Sequence, residues 1–492
     1  MAEDSDILRS RLSRELTDRA RYFVSSMKED MRIAEEDIYC TLAHDKMLFK
    51  QGIISKEQLD KITDGLLEAL TKLREGTIQA IGKYEDIHPL VEAYVISKHG
   101  REIGGRIHTG RSRNDQVMCD VRMKLRREIL DIRRVLHHLM SVMISRAENE
   151  LETVMPAYTH TQHAQITTLA HWLLAYVDAF MRDEERLVQS YRRVNMNPLG
   201  ACAVAGTSIP IDRAETTRLL GFQSIIENSM DAVSSRDFVL ELAANLAIIA
   251  NNISRIAEEL ILWSSSEFGF AELPDELASP SSVMPQKKNP EVLELMRGRS
   301  GIPLAVFSSL FVMTKGLISG YSQDLQETKP HLWQSLDSVV TSLDMLQEVI
   351  AKIEFDRGRM KNAATEGYIA ALDLAELLTV ETGIPFRVAH EIVAKLVKGL
   401  VDRGVPLKEA RQKDLAKIFS TATGKRLTAS FDFKEICDPV ASVKRRKSRG
   451  SPSPAHTLQM LSSRKSTLNQ IGQDTELEEK RLDKIESELL PV

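Results

Sequence analysis

Residues 239–263 read VLELAANLAIIANNISRIAEELILW, and their apolar positions recur at alternating steps of three and four. This alternation puts apolar side chains on one face of a helix, which is typical of a packing seam in a helix bundle. The seam comprises Val239, Leu242, Leu246, Ile249, Ile253, Ile256, Leu260 and Trp263. A helix of this length extends roughly 40 Å, at about 1.5 Å per residue. The stretch therefore predicts an elongated bundle and not a small globular core.

The same rhythm recurs in residues 117–143 and in residues 332–353. Aromatic residues make up only 5% of the chain, which favours helix over strand. Helices this long cannot bury their apolar faces within one small domain, so we expect other subunits to cover them. The sequence predicts an all-α chain with a long central helical bundle.

The two flanks of the chain carry shorter patterns than the middle. Residues 1–110 contain short helical segments such as residues 55–74. Beyond residue 360, Pro385 and Pro406 each follow a glycine closely, which is typical of one helix ending and the next helix beginning. We predict an N-terminal helical domain over residues 1–110, a central bundle domain over residues 111–360, and a C-terminal helical domain with a polar tail over residues 361–492.

The tail combines a basic run, KRRKSRGSPSP, with the later segment EKRLDKIESELL. A basic run can act as a nucleic-acid-binding arm. The pattern favours instead a solvated loop that leads into a terminal amphipathic helix.

Composition narrows the functional classes. The 65 Lys and Arg residues against 70 Asp and Glu give a net charge of −5, which lacks the signature of a nucleic-acid or membrane-surface protein. The most apolar stretch, residues 302–320, is interrupted by Pro303 and Lys315 and falls short of the ~20 apolar residues that span a bilayer. The polar N-terminus lacks the apolar core of a signal peptide. We expect a cytoplasmic protein without membrane or nucleic-acid partners.

The four cysteines are scattered along the chain, with no CxxC pair and no zinc-ligand spacing. This usage is typical of free thiols in a reducing compartment. The sequence predicts no metal site.

Four polar segments lie between the long patterns, at residues 104–116, 158–165, 279–290 and 321–329. Their side chains indicate a binding site for a polycarboxylate, because they combine cations, hydrogen-bond donors and a proton-exchanging histidine. The cations are Arg111, Arg113, Lys287 and Lys329; the donors are Asn114, Thr159, Ser281 and Asn289; the histidine is His160. The chain has no GxSxG elbow, dinucleotide-binding glycine pattern or phosphate loop, which excludes the commonest hydrolase, dehydrogenase and kinase classes.

The run SSVMPQKKNP at residues 281–290 resembles the signature of the fumarase/aspartase superfamily. Fumarases and aspartases usually have Gly-Lys-Val before Asn-Pro, and adenylosuccinate lyases tend to have Tyr-Lys-Arg. Gln-Lys-Lys at this place is similar to the argininosuccinate lyase family. The runs HTGRSRNDQV (108–117), YTH (158–160) and DLQE (324–327) resemble further motifs of that family, in the same order.

The chain departs from the family pattern at several positions. Pro280 replaces the glycine that usually precedes the serine pair, which puts the mobility of this loop in question. Thr161, His163 and Ile166 replace the usual Leu, Arg and Pro after the histidine. The resemblance spans about residues 20–450 and does not include the tail.

The resemblance implies an enzyme that splits argininosuccinate into arginine and fumarate by β-elimination, with no metal or organic cofactor. It implies Ser281 and His160 as the proton-transfer pair, for which we assign Ser281 as the base, with the opposite assignment as the alternative. The implied catalytic set is Ser281, His160, Glu294 as the acidic partner that orients the histidine, and Lys287. The implied substrate-binding residues are Ser26, Arg113, Asn114, Thr159, Asn289, Tyr321, Gln326 and Lys329.

The resemblance also implies a three-domain all-α fold that forms a homotetramer around a twenty-helix core, with each site shared between subunits. The alternatives are a sister lyase, such as adenylosuccinate lyase or aspartase, a non-catalytic protein like the crystallins recruited from this family, or a helical scaffold. Retention of Ser281, His160 and Lys287 together argues against a non-catalytic protein.

Overall fold

A computed structural model describes residues 16–78 and 84–490 of the chain. The polar N-terminal run of residues 1–15 lies outside the described residues. The α-helices are α1 (Asp18–Val24), α2 (Met27–Asp30), α3 (Ala34–Lys50), α4 (Lys56–Arg74), α5 (Ile87–His99), α6 (Arg101–Gly104), α7 (Arg113–Asn149), α8 (Leu169–Val194), α9 (Arg213–Leu219), α10 (Ser229–Ser234), α11 (Asp237–Trp263), α12 (Glu291–Arg299), α13 (Gly301–Thr314), α14 (Thr328–Lys352), α15 (Arg357–Ala363), α16 (Ala371–Thr382), α17 (Phe386–Val401), α18 (Gln412–Thr423), α19 (Phe433–Ile436), α20 (Pro439–Arg445) and α21 (Pro454–Leu489).

Strands form only short antiparallel or parallel pairs in the described residues. They are β1 (Val154–Thr159), β2 (Gln162–Thr168), β3 (Met196–Asn197), β4 (Ser224–Ile225), β5 (Ala271–Glu272), β6 (Ser279–Pro280), β7 (Lys288–Asn289) and β8 (Glu354–Phe355). They pair as β1 with β2, β3 with β4, β5 with β8, and β6 with β7. The predicted all-α class is confirmed, because no pairing extends beyond two strands in this part of the chain.

The central bundle consists of the long helices α7, α8, α11 and α14, together with the consecutive helices α12 and α13. All three predicted seams lie on long helices: residues 117–143 on α7, 239–263 on α11, and 332–353 on α14 and the residue that ends it. Their seam residues are buried; Leu242, Leu246 and Ile249, for example, have no exposed surface. Each such side chain contributes about 1.5–3 kcal/mol through burial, so these seams stabilise the bundle.

Helix starts follow from capping residues in the sequence. The Ser55 side chain accepts from the backbone N–H of Gln58, and the Gln58 side chain accepts from that of Ser55, so α4 begins with a capping box. Gly383 ends α16 in the left-handed conformation with φ of 68°, and Pro385 precedes α17. The predicted break at Pro385 is confirmed, and Pro406 precedes a single 3-10 turn, Leu407–Glu409.

Two smaller cores flank the bundle. One joins α3, α4 and α5 to the first turns of α7, and the other lies among α16, α17, α18 and α19. The predicted terminal helix is confirmed as α21, but it packs along α7 and α8, with Leu461, Leu468 and Leu482 buried in the central core. The domain boundaries at residues 110 and 360 stay predictions.

Within the described residues, no helix combines the length and the apolar character that crossing a lipid bilayer requires. The apolar stretch at residues 302–320 forms α13 and a following turn, and α13 ends at Thr314.

Candidate active site

A cavity of about 420 Å³ opens where the first turns of α7 and α14 meet α2 and the start of α5. Its wall is mostly polar. Six of the predicted substrate-binding residues line it: Ser26, Arg113, Asn114, Tyr321, Gln326 and Lys329. The structure thus brings together predicted residues from three separate parts of the sequence.

Ser112 fixes the start of α7 at the wall of this cavity. Its hydroxyl accepts from the backbone N–H of Asn114 at 3.3 Å, and Asp115 Oδ1 accepts from the backbone N–H of Ser112 at 2.9 Å. These caps satisfy N–H groups that a helix start otherwise leaves without a partner. Arg113 and Asn114 therefore project from a rigid first turn, at the end of α7 where the helix dipole favours bound anions.

The second oxygen of Asp115 ties a neighbouring loop to this helix start. Asp115 Oδ2 accepts from the backbone N–H groups of Gly200 and Cys202, each at 2.8 Å. Asn114 Nδ2 donates to the carbonyl of Ala203 at 3.1 Å. Burial raises the pKa of Asp115 to about 6, although the backbone donors oppose this shift. The loop that contains Ala203 is thereby held against the cavity residue Asn114.

The ammonium group of Lys329 is anchored by a buried carboxylate at the start of α14. Lys329 Nζ donates to Asp30 Oδ1, and Ser26 Oγ donates to Asp30 Oδ2 at 2.6 Å. Gln326 Nε2 donates to the carbonyl of Val24 at 3.1 Å. Lys329 is only 6% exposed, so its charge is oriented before any ligand binds.

Asp86 has two structural roles. Its Oδ1 accepts from the backbone N–H of His88 at 3.1 Å, which caps α5, and its Oδ2 lies 3.0 Å from Arg113 Nη1. From the sequence, Asp86 and His88 could either line the cleft or cap a helix. Both residues line the cavity, and Asp86 is also the cap.

A buried polar network forms the floor of the cavity. His88 Nδ1 lies 3.0 Å from Asp37 Oδ1, and the Gln116 side-chain amide donates to the same oxygen. Despite burial, the neighbouring His88 and Arg111 hold the pKa of Asp37 below its usual value. Burial together with Arg111 and Arg113 lowers the pKa of His108 to about 4, so His108 is neutral near pH 7.

Sequence reasoning missed the carboxylates of this network, Asp30 and Asp37. Both are wholly buried. The available signal was a charged residue amid the apolar positions of a short helix, which is rare unless the charge is paired. Asp37 shows it within the segment IAEEDIYCTLA at residues 33–43.

His160 lies at the tip of the β1–β2 hairpin. His160 and Thr161 form the two-residue turn with φ of 54° and 57°. Turns of this kind normally contain Asn or Gly, since the left-handed conformation strains the backbone of other residues. The turn exposes the side chains of Thr159 and His160 to solvent in the single chain. Among the substituted positions, His163 packs edge-on against Tyr158 in this hairpin.

The signature segment forms an exposed loop between β6 and β7, where Ser279 pairs with Asn289 and Pro280 pairs with Lys288. Ser281 Oγ accepts from the backbone N–H groups of Val283 and Met284, at 3.2 and 3.0 Å. Two donors on one hydroxyl oxygen stabilise negative charge on that oxygen. The loop therefore holds the Ser281 hydroxyl with its oxygen facing two backbone donors.

The other predicted catalytic residues lie near this loop in sequence and on the surface. Lys287 is exposed, and Glu294 is exposed in the first turn of α12. Within the described part of the chain, the side chains of Lys287 and Glu294 make no hydrogen bond or ion pair. The same is true of the side chains of Thr159 and His160. None of the residues Ser281, His160, Glu294, Lys287, Thr159 and Asn289 lines the cavity of the single chain.

The cavity can hold a ligand with charges of both signs. Arg113, Asn114 and Lys329 offer donors for carboxylates, whereas Asp30 and Asp86 offer acceptors for a cationic group. The exposed loop and hairpin carry Ser281 and His160, the two residues for which the sequence predicts proton transfer.

Comparisons with known proteins identify the family. Residues 12–302 match the family described as Lyase, and residues 368–444 match the one described as Argininosuccinate lyase C-terminal. An argininosuccinate lyase of Methanosarcina mazei is 41% identical over 96% of this chain and 92% of its own.

Among solved structures, an EDDS lyase in complex with formate has a TM-score of 0.85 and 28% identity, over 96% of this chain and 93% of its own. A class II fumarase from Schistosoma mansoni has a TM-score of 0.68 and 16% identity, over 84% and 94% of the two chains, and shows a common fold. The family matches and the identity over nearly the whole chain agree with the motifs, and the chain belongs to the argininosuccinate lyase family.

Proposed function

We propose that this chain cleaves argininosuccinate to L-arginine and fumarate. The observation that carries the proposal is the pairing of a charge-complementary cavity with a serine whose hydroxyl oxygen accepts two backbone N–H bonds. Family membership makes the chain a carbon–nitrogen lyase, and the site chemistry suits a substrate with several carboxylates and a guanidinium group.

In the proposed reaction, Ser281 Oγ takes a proton from the carbon next to a succinate carboxylate. The electron pair of that C–H bond delocalises into the adjacent carboxylate, and it then forms the double bond as the C–N bond breaks and the guanidino nitrogen takes the C–N electron pair. Because the guanidinium group of the substrate is cationic, the departing nitrogen belongs to a neutral guanidine, and the proton that His160 donates to it releases arginine as the guanidinium cation. Glu294 orients His160 in this scheme.

The demanding step places extra negative charge on a carboxylate that is already ionised. Lys287, Asn289, Thr159 and Asn114 would bind the succinate half and stabilise this charge. Each charge-assisted donor that acts mainly in the transition state contributes about 2–4 kcal/mol. The cavity residues Ser26, Arg113, Tyr321, Gln326 and Lys329 would hold the arginine half.

A homotetramer would bring these two groups of residues together, since the loop and the hairpin lie outside the cavity of one chain. Exposed apolar side chains along α11–α13 and the turn after α13 support this assembly. They include Leu262, Leu304, Phe311, Val312 and Ile318, which are 42%, 60%, 51%, 62% and 85% exposed. A second copy that packs here would bury these residues, whereas the three predicted seams are already covered within one chain.

We place the enzyme in the cytoplasm. Its four cysteines are all unpaired, as is typical of a reducing compartment.

The deciding experiment follows fumarate by its ultraviolet absorbance after mixing the purified protein with one substrate at a time. Argininosuccinate is expected to give fumarate and arginine, whereas adenylosuccinate, aspartate, malate and EDDS give little or none. Faster turnover of any of these others would reassign the substrate. No product from the whole panel would favour a non-catalytic protein.

A further inference from the structure

Two cysteines from distant parts of the sequence meet beneath the floor of the cavity. Cys40 lies on α3 and Cys119 lies on α7, and both side chains are wholly buried. Asp120, also wholly buried, completes the group, and the two sulfur atoms and a carboxylate oxygen all lie within 4.8 Å of one another. This group plays no part in the elimination proposed above.

The carboxylate of Asp120 lacks a compensating partner. Neither of its oxygens accepts a hydrogen bond from a nitrogen or hydroxyl group within the described residues, the Cys40 thiol lies beside it as a weak donor, and His88 Nδ1 lies 3.6 Å from Asp120 Oδ2. His88 Nδ1 lies closer to Asp37, at 3.0 Å. A buried carboxyl group without an ionic partner is either protonated or bound to a cation, and the two sulfur atoms beside Asp120 supply the further ligands that a bound cation needs.

The surrounding charges do not supply that cation. The side chains of Asp37, Asp45 and Asp120 are all wholly buried around a single buried guanidinium, that of Arg111. Arg111 donates to Thr41 and not to Asp120. An excess of acidic groups with two thiols beside it is the donor set of a soft or borderline divalent metal ion.

We propose that Cys40, Cys119 and Asp120 form a binding site for a thiophilic divalent cation, such as zinc. Two thiolates and one carboxylate are donors that zinc accepts in a tetrahedral arrangement, with the fourth position left to water. The hydrogen-bonded pair of His88 and Asp37 would lie next to the Asp120 carboxylate.

The proposed site lies next to the cavity. Thr41 follows Cys40 directly, Gln116 lies one helical turn before Asp120, and both residues line the cavity. Bound metal would join α3 to α7 directly below the substrate-binding wall. Its binding free energy would add to the folding free energy of this region.

The test uses the full-length protein freed of metal and titrated with Cd²⁺, which gives an ultraviolet charge-transfer band when thiolates bind it. A Cys202→Ser/Cys437→Ser double variant retains only the two buried thiols and is the main sample. We expect one Cd²⁺ per chain, with a band equal to that of the wild-type protein. Absence of the band from the folded double variant overturns the proposal.

Two further variants test whether the bound Cd²⁺ lies at the proposed site. Cys119→Ser and, separately, Asp120→Asn are introduced into the double variant, and circular dichroism checks that each folds. We expect Cys119→Ser to lose the band and Asp120→Asn to weaken Cd²⁺ binding at least tenfold. Zn²⁺ should raise the thermal midpoint of the double variant and compete with Cd²⁺. A full band in Cys119→Ser would overturn the assignment, and if that variant does not fold, the Cd²⁺ stoichiometry and Zn²⁺ competition in the double variant decide.

Discussion

The cavity and the signature loop are built in opposite ways. In the cavity, Lys329 is 6% exposed and bound to Asp30, and Arg113 is paired with Asp86. In the loop, Lys287 is exposed and its side chain makes no ion pair within the described residues. One region is organised within a single chain, whereas the other presents its functional groups outward.

This difference separates binding from chemistry. Charges held by buried partners need no reorganisation when a ligand arrives, which suits the recognition of the substrate. Exposed cations in water are weakly effective and become strong only when another surface excludes solvent. The comparison predicts that the loop gains its catalytic strength from assembly or closure, and that the cavity does not.

The largest effect should come from Ser281. Replacing Ser281 with Ala removes the proposed base while leaving the cavity unchanged. Turnover should fall by about 10²–10⁴-fold, the usual contribution of general acid–base catalysis, while substrate affinity changes little. Steady-state kcat and equilibrium binding measured on the same sample separate the two quantities.

The neighbouring serine provides the matched control. The Ser282 side chain is exposed, so Ser282→Ala should cost much less turnover than Ser281→Ala. If Ser281→Ala kept more than about a tenth of wild-type kcat, a loss under ~1.4 kcal/mol, Ser281 would not be the base. His160 would then be the better candidate.

Mixed assemblies test whether the two regions belong to different subunits at one site. Ser281→Ala and Lys329→Ala should each be inactive alone, yet recover activity when unfolded and refolded together. Recovery follows because some sites would combine an intact loop from one subunit with an intact cavity from another. The readout is fumarate release by the refolded mixture.

The control for this experiment mixes Ser281→Ala with Lys287→Ala. Both changes lie in one loop, so this mixture should form no site free of both changes and should recover nothing. Equal activity in the two mixtures would show that cavity and loop come from the same subunit.

The third effect compares two exposed lysines. Lys287→Ala should lose about 2–4 kcal/mol of transition-state stabilisation, because a charge-assisted donor to the reacting carboxylate disappears. Lys315 ends α13 and is equally exposed, so Lys315→Ala should leave kcat nearly unchanged. Similar kcat values for the two variants would remove Lys287 from the site.

The sequence predicted the bundle well because its signal is local. The seams on α7, α11 and α14 are periodic patterns of apolar residues. Such a pattern predicts a helix from the residues of its own segment alone. The same reasoning could not give the hairpin at His160, since its turn contains neither Gly nor Asn at the left-handed positions. The resemblance located that histidine where periodicity could not.

The candidate site was predictable only in part, because a sequence motif identifies residues but not the contacts between distant segments. Motifs identified Arg113, Asn114 and Lys329, which the structure gathers in one cavity. They gave no sign of Asp30, which holds Lys329, or of the meeting of Cys40 with Cys119. Such contacts depend on how α2, α3, α7 and α14 pack, and no spacing within a single segment encodes them.

The last expected effect is on stability and not on turnover, and it concerns the buried carboxyl group of Asp45 below the cavity. Burial raises the pKa of Asp45 to about 7, and both of its oxygens lack a hydrogen bond within the described residues. The value in an unfolded chain is about 3.9. Between these two values the unfolded chain loses its proton while the native protein keeps it, so native stability is fully present below about pH 4 and declines as pH rises towards 7. The loss is on the order of 4 kcal/mol per chain by pH 8.

Asp45→Asn removes this ionisation. Its thermal midpoint should therefore rise relative to that of the wild-type protein between about pH 5 and about pH 8. Asp344, exposed on α14, gives the control Asp344→Asn, whose midpoint should track the wild-type value across this range. A pH-independent difference between Asp45→Asn and the wild-type protein would mean that Asp45 is already ionised and paired in the assembled enzyme, and the floor would then be less acidic than the single chain indicates.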